Sequence, residues 1–155
     1  MTSQFFANVY LNELDYCIKH VLKAKFYIRY VDDFVILDKN KDTLTLHKEK
    51  ISQFLKNLKL ELHSQKSKIS SFYHGVNFLG FKVFYYHKLI RKRNLVMFNK
   101  RLETFKLKYN TGLIEHEQIM YNIQGWLAYA IWGNTFKLRK EIIERVINFL
   151  RKKLL

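Results

Sequence analysis

Residues 26–37 have the sequence FYIRYVDDFVIL, in which two apolar runs meet at a pair of adjacent aspartates. The runs Phe26–Tyr30 and Phe34–Leu37 are rich in aromatic and β-branched side chains, which favour strands. Aspartate is common in tight turns because its side chain can accept hydrogen bonds from nearby backbone amides. The stretch therefore predicts a β-hairpin with Asp32 and Asp33 at its tip.

Two interpretations fit a pair of carboxylates at such a tip. A rigid tip would hold two like charges close together, and bound divalent cations would relieve their repulsion. Mg²⁺ prefers oxygen ligands and commonly takes one or two protein carboxylates together with phosphate oxygens. Two such ions, roughly 3.5–4 Å apart, can support phosphoryl transfer, so Asp32 and Asp33 are candidate metal ligands and catalytic residues. The alternative is that both aspartates only satisfy backbone donors of the turn, and the tetrapeptide Tyr30–Asp33 alone leaves this open.

Helices and strands surround this hairpin in mixed order. Apolar residues recur at helical spacing from Ser3 to about Leu22, with Ser3 as a candidate N-cap. A second helix is predicted to start near Asp42, and a short strand, Leu60–Leu62, follows it. Val76–Tyr86 and Leu89–Phe98 predict a second hairpin.

After Asn99 the pattern becomes wholly helical. Apolar stripes of helical period begin at Leu102, Ile119 and Leu138, and they predict a three-helix unit. The predicted fold class is α+β. The switch of period predicts one domain of residues 1–98, made of antiparallel hairpins and helices, and a helical domain of residues 99–155.

The charge of the chain indicates a polyanionic partner. Among 155 residues, 28 Lys and Arg stand against 13 Asp and Glu, which gives a formal net charge of +15. This excess favours nucleic acid. A membrane partner is not predicted, because the longest apolar run, Trp126–Trp132, is too short to span a bilayer. No secretory signal pattern is present, so the predicted location is the cytoplasm. The single cysteine, Cys17, excludes an internal disulfide.

The hairpin resembles the Tyr-x-Asp-Asp hallmark of reverse transcriptases. Arg29–Phe34 in particular is similar to the version found in bacterial retroelement enzymes, including the group II intron and diversity-generating types. The preceding segment Thr2–Leu11 also resembles the family, and its Ser3-Gln4 pair is similar to the diversity-generating subtype. The resemblance implies that Ser3 and Gln4, with Tyr30 and Val31, lie near the incoming nucleotide and the template base. An N-cap serine followed by a solvated glutamine is the alternative for the first pair.

Two later segments resemble further motifs of the family. Lys66 matches a lysine-bearing segment, which implies a role in protonating or neutralising the departing pyrophosphate. The alternative for Lys66 is a solvated surface charge. Asn77–Phe81 resembles the primer-grip hairpin of the family. The resemblance implies that Phe78, Leu79, Gly80 and Phe81 contact the primer. The alternative is a core strand with a bulge at Gly80.

The helical region resembles a reverse-transcriptase thumb, especially at Gly125–Tyr129 and Lys137–Lys140. A thumb follows the template–primer duplex mainly through phosphate contacts, for which basic side chains suffice. From Lys82 to Tyr109 the sequence holds nine basic residues and one acid. The candidate residues for contacts with the nucleic-acid backbone are Arg91, Lys92, Arg93, Lys100, Arg101, Lys137, Arg139 and Lys140.

By resemblance, the chain is the lower palm and thumb of a right-hand polymerase that adds deoxynucleoside triphosphates to a DNA or RNA primer on an RNA template. The resemblance implies two Mg²⁺ ions in the complete enzyme. It also implies a small basic accessory protein if the diversity-generating subtype holds. Because the family uses a further aspartate and fingers that would precede Met1, we expect the isolated chain to be inactive and to need the N-terminal part of the polymerase as a partner. The alternative is a non-catalytic, basic RNA-binding remnant of maturase type, against which the presence of both Asp32 and Asp33 argues.

Overall fold

A computed structural model describes the backbone of residues 2–151 and the side chains of residues 5–151. The chain divides into two compact units, Met1–Ser71 (unit 1) and Phe72–Leu155 (unit 2). Both strands and helices occur, and both sheets are antiparallel, so the predicted α+β class is confirmed. The second sheet packs against helices that follow it, so it belongs to unit 2.

Unit 1 places a two-stranded hairpin against helices. Its elements are α1 (Thr2–Tyr10), α2 (Asn12–Tyr16), a π-helical turn (Cys17–Val21), β1 (Phe26–Tyr30), β2 (Asp33–Leu37) and α3 (Lys41–Asn57). The helix predicted from residue 3 to about residue 22 is therefore interrupted. The N–H of Leu22 donates to the carbonyl of Cys17 at 2.9 Å, a spacing of five residues that widens the last turn.

The core of unit 1 lies on one face of the hairpin. Side chains alternate along β1, so Tyr27 and Arg29 face inward while Phe26, Ile28 and Tyr30 face solvent. Tyr27 packs, together with Phe34 and Ile36 of β2, against the buried residues Leu14, Ile18, Ala24, Ile51 and Leu55. The helix that was predicted to start near Asp42 is α3, which begins at Lys41. The Asn40 side chain caps it by accepting a hydrogen bond from the N–H of Asp42 at 2.7 Å.

Unit 2 begins with a three-stranded sheet and continues with three helices. Its elements are a 3₁₀ turn (Phe72–His74), β3 (Val76–Phe78), β4 (Phe81–Val83), β5 (Lys88–Ile90), α4 (Lys92–Asn110), α5 (His116–Ala130) and α6 (Phe136–Arg151). The strands pair in the order β3-β4-β5. Asn134 covers the open edge of β5, since its N–H donates to the carbonyl of Lys88 and its side-chain oxygen accepts from the N–H of Lys88, at 2.8 and 2.9 Å.

The three predicted helices of unit 2 are confirmed, and they enclose an apolar core. Its buried members are Phe98, Leu102, Ile119, Ile123, Ile142, Val146 and Leu150. Trp126 stacks on Phe98 with ring centroids 3.9 Å apart. No helix in residues 2–151 is both long and apolar enough to cross a membrane.

Three strand predictions are wrong. Residues 76–86 are not one strand, because β3 and β4 are separated by a turn at Leu79 and Gly80. Residues 60–62 are not part of a sheet, although Leu60 and Leu62 do pack against the core of unit 1. Residues 89–98 do not form one strand: β5 ends at Ile90, and α4 starts two residues later. The helix forms because Leu95, Phe98 and Leu102 bury a stripe of helical spacing within unit 2.

Candidate catalytic hairpin and nucleic-acid surface

The hairpin of unit 1 closes with the tightest common type of loop. Tyr30 pairs with Asp33, which leaves Val31 and Asp32 as the two turn residues. Val31 has a φ of 55°, and a positive φ at the first turn residue alone is the sign pattern of a type II′ turn. A β-branched residue in this region is strained by about 1–3 kcal/mol, and such strain persists only where the surrounding structure enforces it.

The carboxylates of Asp32 and Asp33 are exposed at this turn. In the part of the chain that the structure describes, neither side chain makes a hydrogen bond or an ion pair, so their oxygens do not satisfy backbone donors of the turn. Oxygen donors of this kind suit Mg²⁺, which often takes only one or two protein carboxylates. Among the described residues no group of three or more His, Cys, Asp or Glu side chains could hold a metal ion.

An ion pair on the inner face lies directly behind the turn. The guanidinium of Arg29 binds both carboxylate oxygens of Asp15, with Nε to Oδ1 at 2.8 Å and Nη2 to Oδ2 at 2.5 Å. Its remaining nitrogen, Nη1, donates to the carbonyl of Val31 at 2.7 Å and to Oδ1 of Asn8 at 3.0 Å. The hydroxyl of Tyr27 also donates to Oδ1 of Asp15, at 2.6 Å. The side chain of Arg29 thus links the strained turn residue, Val31, to both α1 and α2.

This network shifts the proton equilibria of its members. The hydrogen bonds from Arg29 lower the pKa of Asp15 despite its partial burial. Burial, followed by the hydrogen bond to the Asp15 carboxylate, raises the pKa of Tyr27. The hydrogen bonds to Asp15 raise the pKa of Arg29. The pair is therefore charged, and Tyr27 neutral, across the range in which enzymes usually work.

Lys66 belongs to unit 1 and lies in the loop that follows α3. Its backbone N–H donates to the carbonyl of His63 at 3.2 Å, and its side chain is exposed. The loop is fastened to α3 by Lys48, whose Nζ donates to the carbonyl of Ser67 at 2.7 Å. Among the described residues, no hydrogen bond or ion pair joins Lys66 to Asp32 or Asp33.

The Phe78–Phe81 segment of unit 2 forms a second two-residue turn. Phe78 pairs with Phe81, and both Leu79 and Gly80 have positive φ, at 47° and 83°. Phe78 is half-buried, Phe81 is buried, and Leu79 is exposed at the tip. The predicted alternative of a bulge at Gly80 is wrong, because Gly80 is instead the second residue of a hairpin turn.

Three donors hold the carbonyl of Gly80. They are the hydroxyl of Tyr129 at 3.0 Å, Nδ2 of Asn94 at 3.2 Å and the N–H of Arg91 at 3.1 Å. A β-carbon at Gly80 would collide with the Tyr129 hydroxyl. The turn is therefore fixed to α4 and α5, and only glycine combines this backbone conformation with this close approach.

The candidate basic residues all belong to unit 2. Lys92, Arg93, Lys100 and Arg101 are exposed on α4, and Lys137 and Lys140 are exposed on α6, whereas Arg91 and Arg139 are half-buried. The single acid between Lys82 and Tyr109, Glu103, is already paired with Lys106 at 2.8 Å and with Arg145 at 3.5 Å. The other basic side chains of α4 therefore keep their charge available for a partner.

Positive charge is concentrated in the same unit. Unit 2 has 16 Lys and Arg against 5 Asp and Glu, a net charge of +11, and unit 1 has 12 against 8, a net charge of +4. A polyanion would therefore be attracted mainly to unit 2.

Comparison with known protein families identifies the chain's relatives. A family model described as reverse transcriptase (RNA-dependent DNA polymerase) matches residues 1–83, which is more than half of the 155 residues. The chain belongs to the reverse transcriptase family. No curated protein matches the chain at a significant level.

The reverse-transcriptase match covers part of the predicted site. Its range includes Ser3, Gln4, the Tyr30–Asp33 turn, Lys66 and the Phe78–Phe81 turn. The side chains of Ser3 and Gln4 lie outside the described residues, although both positions belong to α1. The match ends at the last residue of β4, so contacts of α4 and α6 with nucleic acid remain a prediction.

The residues that hold the two turns of this chain were not predicted from the sequence. At the first turn these are Asp15 and Arg29, and at the second they are Asn94 and Tyr129. A signal for Arg29 was present in the sequence. Its place on the inward face of β1, two residues from Tyr27, puts a charge in the interior, and an interior charge needs a partner.

Proposed function

We propose that this chain carries the catalytic hairpin and the nucleic-acid-gripping helices of an RNA-directed DNA polymerase. Asp32 and Asp33 act in nucleotidyl transfer from deoxynucleoside triphosphates to a primer on an RNA template. Residues 1–98 correspond to the palm, with its primer-grip hairpin, and residues 99–155 to the thumb.

One observation carries this proposal. Two adjacent carboxylates are exposed at a tight turn and make no hydrogen bond or ion pair within the described chain, and they directly follow Val31, whose strained backbone is held by Arg29 from the inner face. Strain of this kind clusters at functional sites. In a member of the reverse transcriptase family, this supports metal binding by Asp32 and Asp33 rather than a turn that satisfies itself.

The residues present fit Mg²⁺, and Asp32 and Asp33 would hold it. When bound, Mg²⁺ supplies Lewis-acid activation of the primer hydroxyl and neutralisation of phosphate charge. The remaining assignments follow the family resemblance: Tyr30 and Val31, with Ser3 and Gln4, border the nucleotide and the template base, and Lys66 offers a proton or a positive charge to the pyrophosphate.

Unit 2 would hold the template and primer. Its exposed basic side chains contact phosphates without reading sequence, so affinity should fall steeply as salt rises. The Phe78–Phe81 turn is rigidly held and presents Leu79 at its tip, which suits a fixed grip on the primer strand.

We further propose the diversity-generating subtype, which rests on the resemblance of Ser3-Gln4. A template-repeat RNA and a small basic accessory protein would then be partners. We also propose that activity requires the fingers and upper palm of the polymerase, which supply the further carboxylate that the family uses.

Primer extension on an RNA template with Mg²⁺ tests the function. The samples are the chain alone, the chain supplemented with fingers and upper palm, and the supplemented Asp32→Asn, Asp33→Asn variant. Glu49→Gln is the matched control, because it neutralises an exposed carboxylate of the same unit outside the turn. We expect extension in the supplemented wild type and control only, with errors at template adenines if the subtype is right. Equal extension by the double variant would refute the catalytic assignment.

RNA binding without synthesis is a second candidate, and the net charge of +11 on unit 2 favours it. It predicts tight, salt-sensitive binding of RNA that the double variant retains. A supplemented wild-type complex that is folded and binds RNA but does not extend any primer would establish this candidate in place of the polymerase.

A further inference from the structure

We infer that Asp15 and Arg29, together called the turn clamp, are positioning residues that hold the Tyr30–Asp33 turn in its strained conformation. The consequence for catalysis rests on the proposed function, whereas the effect on the turn does not. Neither residue was a candidate from the sequence, and neither is expected to touch the nucleotide.

The geometry of the guanidinium assigns this role. Two of its nitrogens are taken up by the carboxylate of Asp15, which fixes the plane of the group. The third, Nη1, is then directed at the carbonyl of Val31, the residue with positive φ. A lysine has one nitrogen and no fixed fork, so it cannot bind both oxygens of Asp15 and the turn carbonyl in this way.

The surroundings of the clamp make it stiff. The side chain of Arg29 is only 10% exposed and that of Asp15 is 26% exposed, so water competes weakly for their hydrogen bonds. Tyr27 donates to the same oxygen of Asp15 as Nε of Arg29 does, which holds that carboxylate from a second side. Exposed ion pairs contribute little, but this one is shielded and bidentate.

The clamp also connects the turn to the first helix. Nη1 of Arg29 is shared between the carbonyl of Val31 and the side chain of Asn8 on α1. A displacement of α1 would therefore change the support of the turn. The helix that carries Ser3 and Gln4 is thus linked through Asn8 and Arg29 to Val31, the residue that precedes Asp32 and Asp33.

Hydrogen exchange of the backbone amides in the 155-residue chain, read by NMR, tests the clamp without requiring activity. The variants are Arg29→Lys and the milder Asp15→Asn. The matched control is Ile51→Val, which loosens the buried core of unit 1 without touching the turn. We expect exchange of the Tyr30 and Asp33 amides, which pair across the turn, to rise about tenfold or more in both clamp variants, beyond the general rise seen across unit 1. In the control, the Tyr30 and Asp33 amides should change only as much as the rest of unit 1. A uniform rise in the clamp variants would overturn the inference.

Primer extension with the supplemented polymerase then measures the catalytic consequence. We expect the clamp variants to lower kcat about tenfold or more, with little change in KM for the template–primer, because binding by unit 2 is left intact. The Ile51→Val control should keep its kcat. Extension by the clamp variants at the control's rate would overturn the positioning role. If the wild type does not extend at all, the proposed function fails, and the exchange experiment alone decides whether the clamp holds the turn.

Discussion

Replacing Gly80 by alanine would put a methyl group where the Tyr129 hydroxyl lies. The new carbon would collide with that oxygen and would approach Nδ2 of Asn94 to 2.9 Å. The φ of 83° adds a second cost, since an L-residue with a side chain is disfavoured in this conformation. We therefore expect Gly80→Ala to destabilise unit 2.

The two costs can be separated by a second substitution. The backbone conformation costs roughly 1–2 kcal/mol, and forcing a methyl group into a packed site costs about 1–3 kcal/mol, so Gly80→Ala should lose about 2–5 kcal/mol. Tyr129→Phe removes the colliding oxygen and one hydrogen bond, at about 0.5–1.5 kcal/mol. In the double variant most of the collision is gone, so its loss should be about 1–2 kcal/mol smaller than the sum of the single losses.

Tryptophan fluorescence during urea unfolding provides the measurement. Both tryptophans, Trp126 and Trp132, belong to unit 2, so the signal reports that unit alone. Midpoints and slopes of the four proteins give the free energies of the cycle. A loss below about 0.5 kcal/mol in Gly80→Ala, or strict additivity in the double variant, would refute the close packing of Tyr129 on this turn.

Three further predictions concern charge and core. Because Arg29 lowers the pKa of Asp15 from 3.8, the stabilisation by this pair is complete above that pH and is lost as the pH falls through the lowered value. The free energy of unfolding of Asp15→Asn, followed by circular dichroism, should therefore fall less on acidification than that of the wild type. An equal fall in both proteins would contradict the stabilisation by the ion pair. The pKa of Tyr27 is raised from 10.0, so stability should fall as the pH rises above that value. Tyr27→Phe should remove the part of this fall that is due to ionisation of the Tyr27 hydroxyl. Leu102→Ala should cost about 2–5 kcal/mol by tryptophan fluorescence. Leu107→Ala, at a position 68% exposed on the same helix, should cost under about 0.5 kcal/mol, and similar losses would contradict the assigned core.

The first hairpin was predictable because its signals are local. Apolar runs of strand length flank the two aspartates, although the turn itself lies one residue earlier than predicted, at Val31 and Asp32, because Asp33 pairs with Tyr30 as the first residue of β2. The run Leu95–Phe98 was not decidable in the same way, since four adjacent apolar residues fit a strand or a helix equally well. The helix forms because Leu95 and Phe98 pack against residues of α5 and α6, whereas Val96 and Met97 between them stay exposed, which is a helical and not a strand pattern.

In the candidate site, too, some features follow from the local sequence and others only from packing in the folded chain. Asp32 and Asp33 stand out in the sequence because two charges interrupt an apolar stretch. The Asp15–Arg29 ion pair that supports the turn could not be predicted from the sequence. The two residues are 14 positions apart and meet only once the hairpin folds onto α2. The strain at Val31 is likewise a property of the folded turn, since valine itself favours strands.

The solvent-facing side of the first hairpin has a thermodynamic consequence of its own. Phe26, Ile28 and Leu37 are between 38% and 56% exposed there, and each keeps a layer of hydration water. Any surface that comes to cover them must release this water, and the event carries a negative change in heat capacity. The enthalpy of such an association would become more favourable on warming, so calorimetry at several temperatures would reveal whether this face is covered in the working enzyme.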